Sequence, residues 1–192
     1  MKSGNDHPLV LAMTGASGVA AARSLLRRSP WPVALIASKW ARKVYELECG
    51  SFEELAAMAD EVYPADDLEA PFSSGSVPTR GMVILPCTAN TLAQVAGGLA
   101  GNLITRAAHC HLKERRPLVL ALRETPLSRI DLENALRVHD AGAVVMPFCP
   151  PFYMLERKEI ASVCLEEIMD AFADRILQFL GAENVKNWGD VR

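Results

Sequence analysis

The stretch Leu9-Val10-Leu11-Ala12-Met13-Thr14-Gly15-Ala16-Ser17-Gly18-Val19-Ala20-Ala21-Ala22-Arg23-Ser24-Leu25-Leu26 decides the fold. It opens with a short apolar run of the length of a buried strand. Thr14 to Gly18 follows as a turn, whose glycines allow positive φ and close backbone approach. From Val19 onward the residues are mostly good helix formers. The reading is strand, tight turn, helix. Free N–H groups at the start of such a helix, with a partial positive charge of about 0.5 e, are a natural phosphate seat, to which Ser17 adds a hydroxyl. A plain strand-to-helix connection packed with small residues is the alternative. The better-known glycine signatures are excluded. No Gly-Lys-Ser/Thr is present, a nucleophile elbow would need glycine at Val19, and G-x-G-x-x-G would need it at Ser17.

The same alternation continues outward. Trp31 to Ala37, introduced by Pro30 and Pro32, reads as a strand, and Ser38 as the cap of a helix through about Glu48. Ser51 opens a short helix, with Glu54 completing a capping box. Glu61-Val62-Tyr63 is a short strand. Asp66 to Arg80 is a loop holding the polar segment Phe72-Ser73-Ser74-Gly75-Ser76. Gly81 to Pro86 is a buried strand, after which Cys87-Thr88-Ala89-Asn90-Thr91 starts a helix through Leu99. Asn102 to Leu112 is a further helix, and Pro117 to Leu122 a strand ending at Arg123-Glu124-Thr125-Pro126. A helix starting at Ser128 or Asp131 runs to His139, and Ala141 to Met146 is the last strand. The spacing of apolar residues predicts one helix from about Arg157 to Leu180, closed by Gly181, with Trp188 in a short tail. Apolar strands alternating with helices predict a Rossmann-like three-layer α/β sandwich with a mainly parallel sheet. A single domain is expected over residues 1–192, with its core at about 9–180 and a C-terminal tail at 181–192.

Composition narrows the function classes. Half the residues are hydrophobic, and the mean hydropathy of +0.11 is high enough to suggest buried subunit interfaces. An obligate oligomer is therefore expected. The net charge of −3 implies no broad affinity for nucleic acid. Five scattered cysteines without a C-x-x-C pair point to neither zinc nor a disulfide framework, and fit a reducing cytoplasm. No apolar run approaches the ~18 residues of a membrane span, and the polar start from Met1 to His7 is unlike a signal peptide.

In parallel sheets ligands bind at the carboxyl ends of the strands. The residues expected there are Gly15, Ser17, Ser38, Thr88, Asn90, Arg123, Glu124 and Tyr153. Small hydroxyl and backbone donors with one arginine suit a phosphorylated cofactor with hydrogen-bonding edges. The acid that would hold an adenosine ribose about 20 residues after the glycine turn is missing, and Ser38 stands in that region. That favours a mononucleotide such as FMN over NAD.

Several motifs together resemble the flavin prenyltransferase family, UbiX. They are Gly15-Ala16-Ser17-Gly18, Ala37-Ser38-Lys39, Ser74-Gly75-Ser76, Met82-Val83-Ile84-Leu85-Pro86-Cys87, Asn102 to Ala108, Leu112 to Arg116, Arg123-Glu124-Thr125-Pro126-Leu127 and Pro151-Phe152-Tyr153. They follow the family's order over about residues 9–180. The resemblance implies a Rossmann-like fold, a homododecamer, and transfer of a dimethylallyl group from dimethylallyl phosphate to N5 and C6 of reduced FMN. The product, prenylated FMN, would serve a separate UbiD-type decarboxylase. By the same resemblance Gly15, Ala16, Ser17, Ser38, Thr88, Ala89, Asn90, Thr91 and Arg123 form the FMN set. Lys113, Arg123, Tyr153 and Arg175 form the prenyl-phosphate set, which Trp188 closes, and Glu48, Lys113 and Glu124 carry the catalysis. Several of these would come from neighbouring subunits. The segment between Tyr153 and Arg175 is longer than the family pattern.

The residue types suit that chemistry. Departure of phosphate from an allylic carbon needs cations around it. A magnesium-binding D-D-x-x-D is absent, since Asp66-Asp67 precedes Leu68-Glu69-Ala70, so no metal is expected and Lys113, Arg123 and Arg175 would supply the charge. An allylic cation favours aromatic faces such as Trp188 or Tyr45. The rival reading is an FMN flavoprotein without prenylation. An oxidative cysteine decarboxylase would use a histidine after the second strand, whereas the histidines here are His7, His109, His111 and His139. An accessory subunit of a decarboxylase would not need the set Glu48, Lys113, Arg123, Glu124 and Tyr153.

Overall fold

The computed structural model describes residues 7–149, 151–155, 160–183 and 185. The opening stretch forms β1 (Leu9–Met13), every residue of it buried, then the glycine turn and α1 (Ala20–Arg28). The chain continues through β2 (Val33–Ala37), α2 (Lys39–Glu48), α3 (Phe52–Ala56) and β3 (Glu61–Pro64). It then returns through β4 (Gly81–Cys87), α4 (Ala89–Ala96), α5 (Leu103–Lys113), β5 (Leu118–Leu122), α6 (Arg129–Asp140), β6 (Val144–Val145) and α7 (Leu165–Phe179). The strands form one sheet in the order β3-β2-β1-β4-β5-β6, and every pairing is parallel. The chain runs outward from β1 in one direction and then restarts beside it in the other. The crevice between the carboxyl ends of β1 and β4 is thus the switch point of the sheet.

Alternation along β1 divides the core between the two faces of the sheet. Leu9, Leu11 and Met13 join the cluster containing Leu25 of α1 and Phe172, Ile176 and Leu177 of α7. Val10 and Ala12 join Leu92 of α4 and Leu103, Ile104 and Ala107 of α5. This is the three-layer sandwich expected from the alternating elements. α7 lies along α1 and is tied to it by charge. Arg27 binds Glu166 and Asp170, and Arg28 grips Asp174, with Nε at 2.5 Å and Nη2 at 2.6 Å from its two oxygens. Among the described residues, no helix is long and apolar enough to cross a membrane.

Local capping explains where elements start, and where the sequence expectations miss. Ser38, Thr88, Asn102 and Ser128 each accept from the N–H three residues on. Ser128 and Asp131 are partners in one capping box, so Ser128 is the cap and Asp131 its return contact. At Ser51 the hydroxyl caps Glu54 N–H and donates to the Glu53 carboxylate, and the helix start has no return contact from the Glu54 side chain to close a box. The helix expected through Leu99 stops at Ala96, because Gly97 and Gly98 follow and Gly98 is left-handed at φ +70°. The last strand shrinks to Val144–Val145, between the left-handed Gly142 and Pro147. The final helix starts at Leu165 and not near Arg157. Cys164 is extended, its N–H donates to Glu167 at 3.1 Å, and Ile160–Ser162 is a separate 3-10 turn. Residues 157–159 lie outside the described residues.

Candidate active site

Thr14, at the end of β1, stitches the switch point together. Its hydroxyl donates to Pro86 O at 2.7 Å and accepts from Thr88 N–H at 2.9 Å. That bond fixes the start of α4 against the glycine turn. There Thr88 Oγ1 accepts from Thr91 N–H at 3.1 Å and meets Thr91 Oγ1 at 2.9 Å. On the other side, Ser38 N–H donates to Met13 O at 3.1 Å, and Ser38 Oγ caps α2 at Ala41 N–H, 3.0 Å away. Gly15 has to be glycine here, since a Cβ on it would lie 2.5 Å from Trp40 Cβ. The turn and the first turn of α2 are therefore in direct contact.

Between these parts lies a cavity of about 290 Å³, lined by Thr14, Gly15, Ser38, Trp40, Thr88 and Thr91, with Asn90 and Asn102 at its edges. A second space of about 400 Å³ adjoins it across Ala65 and Asn102 and carries Lys39, Arg42 and Asp66. Together they reach the size range of small-molecule sites. The polar wall of the first cavity combines hydroxyls and amides with the first turns of two helices, α2 and α4, which leave N–H donors and positive dipole ends there, and the second space adds the charged side chains. That donor set fits a phosphate dianion.

At the glycine turn Gly18 N–H donates to Glu48 Oε2 at 2.9 Å, which brings a carboxylate from the end of α2 to the start of α1. Ser17 is exposed and does not line the cavity. The hydroxyls that do line it belong to Thr14, Ser38, Thr88 and Thr91. Gly18 is left-handed at φ +88°, and a Cβ on it would stand 3.1 Å from the ring of Phe148, which packs edge-on against Phe172.

Of the expected FMN residues, Gly15, Ser38, Thr88, Asn90 and Thr91 share the cavity. Ala16 lies on the turn with its N–H on Thr14 O, and Ala89 is the first residue of α4. Arg123 continues β5 at the same edge, with its N–H on Cys87 O at 2.9 Å. Glu124 beside it is exposed and accepts from Thr125 N–H at 3.1 Å. Tyr153 is half exposed on a 3-10 turn, Phe152–Met154, that packs near α7.

Two members of the prenyl-phosphate set are not brought there. Lys113 ends α5, which runs from the carboxyl edge of the sheet to the amino edge, where Pro117 O receives Met82 N–H at the start of β4. Arg175 is exposed on α7 next to Asp174, level with the C-terminal end of α1. Within one chain both lie at the far edge from the glycine turn. Trp188 lies outside the described residues. Thr14, Trp40 and Asn102 were not picked out from sequence as site residues. Thr14 and Asn102 carried a usable signal, as hydrogen-bonding side chains at a strand end and a helix start, whereas Trp40 carried none. Among the described residues no group of three or more His, Cys, Asp or Glu side chains is placed to hold a metal ion.

A parallel sheet whose switch point presents two capped helix starts, and hydroxyls suited to a nucleotide phosphate, defines a flavoprotein-type α/β protein, and the family model described as Flavoprotein matches residues 1–177. Flavin prenyltransferase UbiX of Methanothermobacter thermautotrophicus is 45% identical over 92% of this chain and 91% of its own. The crystal structure of AnUbiX (PadA1) in complex with FMN and dimethylallyl pyrophosphate superposes with a TM-score of 0.86 at 38% identity, over 98% of this chain and 97% of that one. A dodecameric FMN-dependent Ubix-like decarboxylase from Escherichia coli O157:H7 gives a TM-score of 0.85 at 38% identity, over 94% and 98%. The chain belongs to the flavin prenyltransferase family, UbiX.

Proposed function

We propose that this protein transfers the dimethylallyl group of dimethylallyl phosphate to reduced FMN, forming bonds at N5 and C6 and releasing phosphate. The observation that carries this reading is the cavity between the starts of α2 and α4, in a chain 38% identical to a relative solved with FMN and dimethylallyl pyrophosphate. Ser38, Thr88 and Thr91 hold the FMN phosphate with the first-turn N–H groups, and Gly15, Ala16, Ser17, Ala89, Asn90 and Arg123 border the rest of the flavin. Reduced FMN supplies the nucleophilic nitrogen and ring carbon. Glu48 is anchored on Gly18 N–H beside the turn and handles a proton near the reacting ring, with Glu124 as its counterpart after β5. Glu48 is the group whose basicity the reaction uses.

Lys113, Arg123, Tyr153, Arg175 and Trp188 receive the prenyl phosphate and shield the allylic cation. Lys113 and Arg175 lie across the sheet from the cavity in their own chain, so they act on the site of a neighbouring copy. The working form is accordingly a homo-oligomer, a dodecamer like the Escherichia coli relative. The product, prenylated FMN, passes to a UbiD-type decarboxylase, and the cysteine usage suits a cytoplasmic setting.

Phosphate release tests the reading. Incubated anaerobically with dimethylallyl phosphate, the protein should release phosphate only when reduced FMN is present, one phosphate per flavin consumed. Release without flavin, or none with it, contradicts the proposal and leaves an FMN protein without prenyl transfer.

A further inference from the structure

Side chains of α5 and of the residues just past it reach the loop leading into β4 at several points. Arg106 Nε donates to Ser73 O at 2.8 Å, and Cys110 Sγ approaches the same carbonyl at 3.3 Å. His111 Nε2 meets Thr79 Oγ1 at 2.8 Å. Arg116 spreads its fork over two carbonyls, Nη1 to Val77 O and Nη2 to Gly75 O, each at 2.6 Å. Ser74 and Ser76 are left exposed on either side of Gly75, which is buried.

Gly75 does not adopt the left-handed conformation that would call for glycine. The position uses the missing side chain. A methyl group there would overlap Lys113 Nζ and Glu114 Oε1, and Lys113 Cε would stand 3.0 Å away. Lys113 pairs with Glu114 across this surface and still leaves 43% of its side chain exposed. The ammonium therefore rests in the space over Gly75, open on its outer side to a ligand.

We propose that Gly75 and Arg116 are positioning residues for Lys113: the bare backbone at Gly75 is the seat of the Lys113 ammonium, and Arg116 clamps that backbone to the end of α5. This rests on the reading of Lys113 as the cation that meets the prenyl phosphate. Arg116 never touches the substrate in this account. It fixes the height of the loop and so the direction in which Lys113 points.

The test varies dimethylallyl phosphate in steady-state prenyl transfer for Gly75→Ala, Arg116→Gln, Lys113→Met and the double variant Gly75→Ala/Lys113→Met. FMN titration and light scattering accompany each. Gly75→Ala overlaps only the ends of two flexible side chains, so the fold holds. The expected result is a KM for dimethylallyl phosphate raised about tenfold in Gly75→Ala and in Arg116→Gln, with kcat at saturation, FMN affinity and assembly within about twofold of the parent. In the Lys113→Met background, Gly75→Ala should raise the KM no further, because the ammonium it displaces is gone and the Glu114 carboxylate that it still meets is given no part in binding the substrate. If Lys113→Met keeps the parental KM, the reading of Lys113 itself fails. If Lys113→Met raises KM while Gly75→Ala and Arg116→Gln do not, or if the effects of Gly75→Ala and Lys113→Met simply add, the positioning role is overturned.

Discussion

Replacing Gly15 by alanine should damage both the fold and the cofactor site, through one identifiable atom. A Cβ at position 15 lies 2.5 Å from Trp40 Cβ, and the next nearest atoms are the Trp40 backbone C and Cα at 3.5 and 3.6 Å. No rotamer change relieves the overlap, since a Cβ does not move with χ1, so α2 has to shift as a body. Overpacking of this kind costs about 1–3 kcal/mol. For a chain of this size that corresponds to a fall in Tm of roughly 2–12 °C. The same shift moves Ser38 and the start of α2 away from Thr88, so FMN affinity should fall about tenfold or more, the equivalent of 1.4 kcal/mol. Thermal unfolding at fixed protein concentration and FMN fluorescence titration measure the two effects. Alanine at position 40 retains the Cβ, so Trp40→Ala should not rescue Gly15→Ala. Trp40→Gly should recover most of the loss, apart from about 1 kcal/mol of helix propensity. Rescue by both, or no loss in Gly15→Ala alone, refutes the close-approach account.

Three further outcomes follow from individual contacts. Glu48→Gln keeps a hydrogen-bond acceptor on Gly18 N–H but loses the charge; FMN affinity should hold while prenyl transfer slows by about 10²–10⁴-fold, checked by anaerobic single-turnover rates. Arg28→Met leaves the carboxylate of Asp174, only 2% exposed, without its bidentate partner, which should cost about 3–5 kcal/mol in denaturant unfolding, while Arg28→Met/Asp174→Leu should recover much of it. Burial holds the His111 imidazole below its ordinary range, so near pH 6.5 the unfolded chain binds more protons than the folded one. Stability should therefore fall as pH drops below about 6.5, and His111→Gln, read by unfolding midpoints across that window, should flatten the slope.

How much was legible in the sequence depended on whether the deciding interaction was local. Leu9 to Leu26 declared itself because an apolar run, a glycine turn and a helix-forming series are adjacent. Ser38, Thr88 and Asn102 were equally readable, since a capping side chain acts on the N–H three residues ahead. The place of the cavity was legible to the same extent, because those caps stand at the carboxyl edge of the sheet. The bond from Gly18 N–H to Glu48, 30 residues further on, was not legible, since no local pattern announces such a contact. The contact between Gly15 and Trp40 is hidden in the same way. The start of α7 was missed because Ile160, Val163 and Cys164 continue the apolar period, while Cys164 and Glu167 set the boundary by capping. Lys113 and Arg175 were found as residue types in motifs, but a motif does not say which edge of a sheet it occupies. Their helices run away from the carboxyl edge, and that direction carries them out of the site of their own chain.

The mass of the flavin distinguishes prenyl transfer from cofactor binding alone. The protein is incubated without oxygen with reduced FMN and dimethylallyl phosphate, and the flavin is then released and analysed by mass spectrometry. The expected product is a flavin carrying one dimethylallyl group in place of one hydrogen, formed by the native chain and about 10²–10⁴-fold more slowly by Glu48→Gln. Recovery of unmodified FMN alone, from protein that binds FMN and is assembled, would contradict it.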